Sequence, residues 1–389
     1  MWYYNWQFDG VSAIAVKDRR GGMKVSGMNG VAAKKLNRQQ VLRLLSLEPG
    51  ISRTEIAHRM GLVKMTVSNI VIELLRSGMV CETEASCLDK MGAGRKLTGL
   101  RFSAGAPVVL GLWLSGRELH VGLFSMELAL LEHEVLQVSP EMALDQTINV
   151  ISGMGAAGQP LLAAGLALGA GWELSLGVQL SDCLGIPVYT VANVAADAMV
   201  VSRYTSHRNY FCLSINEVGP LPSPDAGVRG GIVVDGTLLG GEDGCTPLGM
   251  MVRGGSKLSD TASAAAICRR CSEQLGVPCR TLAEVQAACK GNHAAAGVLS
   301  DIFSTLMDTV CNLALAARPS ALVMDNALAG FGEDLQEYFF SRLHARLGEL
   351  APVISTAHFG LENTMYGAAC LVLEKIFQGE IGYRLFFRD

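Results

Sequence analysis

The spacing of apolar side chains changes character along the chain. Between Ile51 and Ser77 it is helical. Ile56, Ala57 and Met60 share one side of a first segment, and Val63, Val67, Ile70, Val71, Leu74 and Leu75 make a stripe along a second. Ser52 followed by Glu55 is a capping box that starts the first helix. Gly61 admits the turn between them, because a residue without Cβ tolerates positive φ. Opposite the stripe, near the N-terminal end of the second helix, stand Lys64, Met65, Thr66, Ser68 and Asn69. Short polar and basic side chains at that end suit a helix that lies in a major groove. Ser52, Arg53 and Thr54 join them as expected DNA contacts. An ordinary αα-hairpin with a solvated polar face shows the same local pattern, so the flanks decide.

Upstream, Ala33–Leu47 reads as a helix with Leu36, Val41, Leu42 and Leu45 apolar and Lys34, Lys35, Arg38 and Arg43 toward solvent. Pro49-Gly50 ends it. Downstream, Gly78 stops the second helix, and Met79–Thr83 and Leu97–Phe102 read as strands around the turn MGAGRK (Met91–Lys96). A hairpin in this place is a wing, with Arg95 and Lys96 at its tip positioned for phosphate or the minor groove. One local feature is weak. Val63 stands where a Ser or Thr cap is usual, and a missing cap costs about 1 kcal/mol.

From Val108 the pattern becomes that of buried strands alternating with helices. Val108–Trp113 and Leu119–Phe124 form an expected antiparallel pair, followed by strands at Leu162–Leu168, Val188–Val191, Tyr210–Ile215, Gly230–Val234, Ala321–Met324 and Val353–Ser355. Helices are expected at Met142–Ala157, Val178–Leu184, Asn193–Tyr204, Thr261–Leu275, Thr281–Lys290, Ala294–Ala317, Phe331–Leu347 and Met365–Phe377. Such alternation predicts layered α/β packing. The leader Met1–Gly30 has five aromatics in its first eight residues and no clear period. It reads as a tail without regular structure or as an over-extended start with translation beginning at Met23 or Met28, with an ordered arm as the alternative.

Composition sharpens this division. The 389 residues are 50% hydrophobic and 17% charged, enough chain for two or three domains with sizeable cores. The net charge of −4 conceals an asymmetry: residues 1–102 carry 16 Lys and Arg against 8 Asp and Glu, and residues 103–389 carry 16 against 28. A basic head on an acidic body fits a head that meets a polyanion. No uninterrupted apolar run reaches the ~18 residues of a membrane span. Eleven scattered cysteines fit a reducing cytoplasm, and no secretory leader is evident.

The stretches LNRQQVLRLL, SRTEIAHRMGLVKMTVSNIVIELLRSGMV, GRKLTGLRF, GIPVYTVANVAADA, GGIVVDGTLLGGEDG and YGAACLVLEK, in this order and spacing, resemble the ROK family of bacterial repressors and sugar kinases, in its regulator branch. The resemblance runs from about Lys35 to Lys375. It implies an α/β chain: a winged helix-turn-helix followed by a two-lobed, actin-like (ribonuclease-H-like) body. The expected division is a leader at 1–30, the DNA-binding head at 31–102, a first lobe from 103–200 plus 357–389, and a second lobe at 201–356. In the family the cleft between lobes takes a sugar or sugar phosphate, and in kinases ATP as well.

The departures from that pattern are chemical. In LGLWLSGRE, Trp113 stands at the kinases' acidic position and Ser115 at one of their glycines. Val194 stands where the family's general-base Asp would follow Asn193, and valine accepts no proton. MDNALAG (Met324–Gly330) lacks the clustered glycines of a phosphate loop. In PLGM, Pro247 replaces a sugar-contacting Glu and Met250 a zinc-binding His. Cys268 and Cys271 form a lone CxxC inside a helix, where small core residues are the plainer reading. No catalytic residue, metal or cofactor is therefore expected. Asn193 is retained as a ligand contact, with a helix N-cap as the alternative. Gly230 and Gly231, in GVRGG, are read as a turn at the cleft, and Glu242 and Asp243 either as substitutes for lost sugar contacts or, the commoner case in a glycine turn, as solvated acidic residues. The expected function is a cytoplasmic transcriptional regulator, a repressor linked to carbohydrate metabolism, homodimeric or a dimer of dimers. Its partners would be a pseudo-palindromic operator in double-stranded DNA and a small-molecule sugar effector. The alternatives are a sugar kinase with an appended head and a ligand-blind scaffold.

Overall fold

The computed structural model describes residues 30–84, 98–154, 159–169, 172–205, 207–215, 227–234, 237–239, 245–253, 255–289, 293–324, 328, 330–331, 333–356 and 362–387, with the strand backbone of 3–8, 11–17 and 23–26. The leader contributes three strands, in keeping with an ordered arm. β1 (Tyr3–Phe8), β2 (Val11–Lys17) and β3 (Met23–Ser26) pair as an antiparallel meander. The pairing of Phe8 with Val11 brackets Asp9-Gly10, the dipeptide that most favours a two-residue hairpin loop.

The head comprises α1 (Gly30–Leu47), β4 (Ile51–Ser52), α2 (Arg53–Met60), α3 (Lys64–Arg76), β5 (Val80–Glu84) and β6 (Thr98–Phe102). The strands form one antiparallel sheet in the order β4-β6-β5. Val41, Leu42, Leu45, Ile56, Val67, Ile70, Val71 and Leu74 interlock beneath it in the core that the helical spacing required. This core does not close at the head. Leu45 and Leu100 belong to the same apolar cluster as Phe124, Met126, Phe386 and Phe387 of the body.

The body is one plan used twice. β7 (Val108–Ser115) pairs antiparallel with β8 (Glu118–Ser125), which pairs with β9 (Leu130–Gln137). After α4 (Ala143–Gly153), β10 (Leu161–Leu168) adds parallel to the free side of β7; after α5 (Ser175–Leu184), β11 (Val188–Ala192) adds beside β10. The strand order is β11-β10-β7-β8-β9. α6 (Asn193–Tyr204) leads to the second sheet, where β12 (Tyr210–Ser214) pairs antiparallel with β13 (Arg229–Val234), itself paired with β14 (Thr237–Leu239). A small hairpin, β15 (Val252–Arg253) with β16 (Ser256–Lys257), precedes α7 (Ser259–Ala262), α8 (Ala264–Leu275), α9 (Leu282–Cys289) and α10 (His293–Ala317). β17 (Ala321–Met324), α11 (Glu333–Leu347) and β18 (Val353–Thr356) complete the order β14-β13-β12-β17-β18, with β17 and β18 parallel to β12. α12 (Asn363–Phe377) then returns to the first sheet, and α13 (Tyr383–Phe386) ends the described chain.

Two glycines make that return possible. A Cβ on Gly165 of β10 would sit 2.0 Å from the Ala368 carbonyl oxygen, and one on Gly367 of α12 would sit 1.9 Å from that of Ala196. α12 therefore lies on the first sheet and against α6 at distances no other residue permits. Within α10, Gly297–Ala317 has the length and composition of a membrane span, but Ile302, Phe303, Leu306 and Val310 are buried in the second core. It packs as a core helix.

Candidate nucleic-acid interface and effector cleft

α2 begins as its capping box requires: the Ser52 hydroxyl accepts from the Glu55 amide at 3.2 Å, and Gly61 closes the helix in the left-handed region at φ 62°. This corrects the reading of Ser52 as a DNA contact. Its hydroxyl is used by the cap and the residue is buried. Arg53 is half-buried and paired with Glu82 of β5 at 2.6 Å, while Thr54 is exposed. α3 starts at Lys64 without a side-chain cap, because Val63 fills the N-cap position with extended backbone and cannot accept a bond.

The outer face of α3 is a stripe. Lys64, Met65, Asn69, Ile72 and Arg76 are exposed, Met65 at 70%, whereas Thr66 and Ser68 are half-buried. Met65, Asn69, Ile72 and Arg76 recur at steps of four, three and four, the spacing of one helix face. Arg76 was not among the residues expected from sequence, although that spacing points to it. Between α1 and α3 runs an open groove of about 580 Å³ whose lining includes Lys34, Asn37, Thr66, Asn69 and Arg76. The wing strands pair in register from Val80 with Phe102 to Glu84 with Thr98. Arg95 and Lys96 lie outside the described residues.

Electrostatically, the carboxylates near this face are neutralised. Glu48 and Glu55 pair with Arg59, Glu82 with Arg53, and Glu73 with both Lys34 (3.1 Å) and Arg38 (2.6 Å). Arg38 itself departs from the solvent position its helix spacing predicted. It is 5% exposed, beneath α3 and against the end of the body. Burial opposes its charge, but bonds to Tyr383 and Glu73 outweigh burial and raise its pKa above the ordinary guanidinium value.

In the body, Asn193 is the first residue of α6 and 7% exposed, and its Oδ1 is buried with no hydrogen-bond partner among the described residues. The N-cap is Ala192, so capping does not account for Asn193. Gly230 and Gly231 lie in β13, where the expected strand Gly230–Val234 put them and not in the turn also read from GVRGG. A Cβ on Gly231 would lie 2.9 Å from the Val194 carbonyl oxygen, and one on Gly230 would meet Phe211 at 2.6 Å. Their smallness serves the packing of α6 and the sheet. Glu242 and Asp243 lie outside the described residues.

Val194 and Trp113, at the positions the resemblance matches to kinase residues, carry no group that accepts a proton. Val194 is buried, and the Trp113 indole stacks on His120 with ring centroids 4.4 Å apart, His120 on His133 at 5.6 Å. Burial pushes the His120 imidazole below its ordinary pKa; Glu118 pulls it back and His133 pushes it further down. Asp197, next along α6, accepts from Asn363 Nδ2 (3.0 Å) and Thr364 Oγ1 (2.8 Å), which fixes the start of α12. The donor set does not fit zinc. Pro247 and Met250 offer no ligand, and Cys268 and Cys271 lie inside α8 in the second core. Burial and the neighbouring thiols push Cys271 up to about 11. Among the described residues no group of three or more His, Cys, Asp or Glu is placed to hold a metal ion.

A family model of winged helix-turn-helix DNA-binding domains matches residues 35–80. No curated protein matches the chain by sequence. Among solved structures, that of a ROK family transcriptional regulator, a homolog of the E. coli MLC protein, superposes with a TM-score of 0.72 at 17% identity, over 90% of this chain and 98% of that one. A ROK hexokinase from Thermus thermophilus superposes with a TM-score of 0.57 at 20% identity, over 68% of this chain and 97% of that one. A ROK glucokinase from Streptomyces griseus, in complex with glucose and AMPPNP, gives 0.55 at 18%, over 68% and 98%. At these identities the likeness is one of fold: a winged helix-turn-helix joined to the two-lobed, actin-like ROK body. The regulator matches more of the chain than the kinases do.

Proposed function

We propose that the chain is a DNA-binding transcriptional regulator, a repressor of the ROK type, whose body binds an effector and carries out no phosphoryl transfer. The observation that supports it best is the outer face of α3. It offers Lys64, Asn69 and Arg76 to solvent while the neighbouring Glu73 is neutralised by Lys34 and Arg38. Such a face meets phosphates without repulsion and presents an amide able to pair with adenine edges. Met65 and Ile72 on the same stripe suit apolar contact with thymine methyls. In this reading the chain acts in the cytoplasm as a homodimer that places two heads on a pseudo-palindrome, with Arg53, Thr54, Arg95 and Lys96 holding the backbone.

The cleft would take a small polar effector, a sugar or sugar derivative, through Asn193 Oδ1, which has no partner among the described residues and would accept a hydrogen bond from a hydroxyl. Its kinase positions hold Trp113 and Val194, and neither supplies a general base or an anion clamp. The test is fluorescence anisotropy of the full chain with a random-sequence duplex across a salt series. Binding that weakens steeply and log-linearly with salt supports the reading; absent or salt-independent binding overturns it. In parallel, ATP with a panel of sugars should give no turnover.

A further inference from the structure

The body holds the C-terminal half of α1. At its C-terminal end the Ser46 hydroxyl donates to the Met126 carbonyl, and Arg203 of α6 donates to Ser46 O (2.9 Å) and Oγ (2.7 Å). On its outer side Arg43 meets Glu374 at 3.1 Å, and Gln39 Nε2 donates to the Gln378 carbonyl. These contacts hold α1. Only one of the contacts described here reaches through α1 to the recognition helix.

That contact is Arg38. Its Nε donates to Glu73 Oε2 of α3 at 2.8 Å and its Nη2 to the same oxygen at 2.6 Å. From the other side of the fork, Nη1 donates to the Tyr383 hydroxyl at 3.2 Å, and the guanidinium lies 4.7 Å from the centre of the Phe387 ring. Partners 35 and 345 residues away in sequence are thus joined by one planar group. A shift of α3 against the C-terminal segment would pull the buried guanidinium off Glu73 or off Tyr383, and losing a partner is costly for a charge held away from water. A lysine cannot substitute, because a point charge on a flexible stem does not hold two directions at once.

We propose that Arg38 is a positioning residue for DNA binding: through Glu73 and the Tyr383–Phe387 segment it fixes the attitude in which the body presents α3. The C-terminal segment is then part of the DNA-binding unit, although it carries no residue of the reading face. The inference rests on the reading of α3 as the DNA-facing helix. Its test uses the full chain, the duplex that the unaltered protein enriches from a random pool, and a double-mutant cycle of Arg38→Met and Tyr383→Phe, with melting temperatures recorded beside affinities. Tyr383→Phe keeps the ring and removes only the hydroxyl.

Arg38→Met and Arg38→Lys are expected to weaken DNA binding by about tenfold. Tyr383→Phe is expected to weaken it by about threefold, and to have no further effect once Arg38 is methionine. Equal affinity for Tyr383→Phe and the unaltered protein, with only the melting temperature lowered, would overturn the proposal and leave Arg38 a stability residue. If Arg38→Met does not fold, Tyr383→Phe and Arg38→Lys decide by the same two readouts. An unaltered protein that enriches no duplex refutes the DNA reading itself, which is distinct from variants that bind as well as it does.

Discussion

The head and the cleft of this chain are built on opposite terms. In the head, polar and basic groups stand outside on α3 and every described carboxylate beside them is paired, over a core that leaves Val67, Ile70, Val71 and Leu74 almost without exposure. In the body, Val194 is buried and Trp113 stacks on His120 at the positions the resemblance matches to kinase residues, and the buried Asn193 Oδ1 has no hydrogen-bond partner among the described residues. A surface that recognises a polyanion needs exposed donors and little else. A surface that transfers phosphate needs a base, an anion clamp and a metal at once. Exposed donors stand on α3, and in the proposed reading Val194 and Trp113 supply neither a base nor an anion clamp.

This contrast breaks first at the reading face. Lys64→Ala with Arg76→Ala should weaken DNA binding by roughly tenfold to a hundredfold and reduce the slope of log affinity against log salt by about two, since two fewer phosphate contacts release fewer counterions. An unchanged slope would remove these side chains from the interface. Next comes the cleft. Asn193→Leu removes a buried oxygen that has no partner among the described residues, so it should raise unfolding free energy in denaturant by about 1–3 kcal/mol while abolishing any sugar-induced thermal shift and leaving DNA affinity intact. Destabilisation instead would mean the amide is fully bonded.

A smaller effect sharpens the head side. Val63→Ser supplies the cap that α3 lacks and should stabilise the head by about 1 kcal/mol, read as a raised denaturation midpoint. The smallest concerns His120, whose pKa burial depresses in the folded state. The folded protein then favours the neutral imidazole, so this contribution is complete above the unfolded value of about 6.5 and is lost as pH falls through it toward the depressed folded value. Stability measured from pH 8 down to 5 should decline, and His120→Phe should flatten the decline.

What the sequence makes legible follows the range of the interactions involved. α2, α3 and the wing rest on spacings within a few residues, and they stand where periodicity, the Ser52 cap and Gly61 put them. β9 escaped, because Glu132, His133 and Glu134 interrupt its apolar pattern; it is the outer strand of its sheet and half exposed. The leader strands escaped although Asp9-Gly10 is a hairpin signal in plain view. Arg38 was placed in solvent because α1 alone does not reveal Glu73 and Tyr383, which only the folded chain brings together. Gly230 and Gly231 were read both as the start of a strand and as a ligand turn, because a glycine required by packing and one required by a turn are identical in sequence. Close approach of α6 to β13 is a property of the fold.

One experiment tests the account most directly: selection of bound sequences from a random duplex pool by the purified full chain at near-physiological salt. The account predicts enrichment of an inverted repeat whose half-sites lie whole helical turns apart, as two heads on one dimer require. Retention without enrichment, or no retention at any salt, would contradict it.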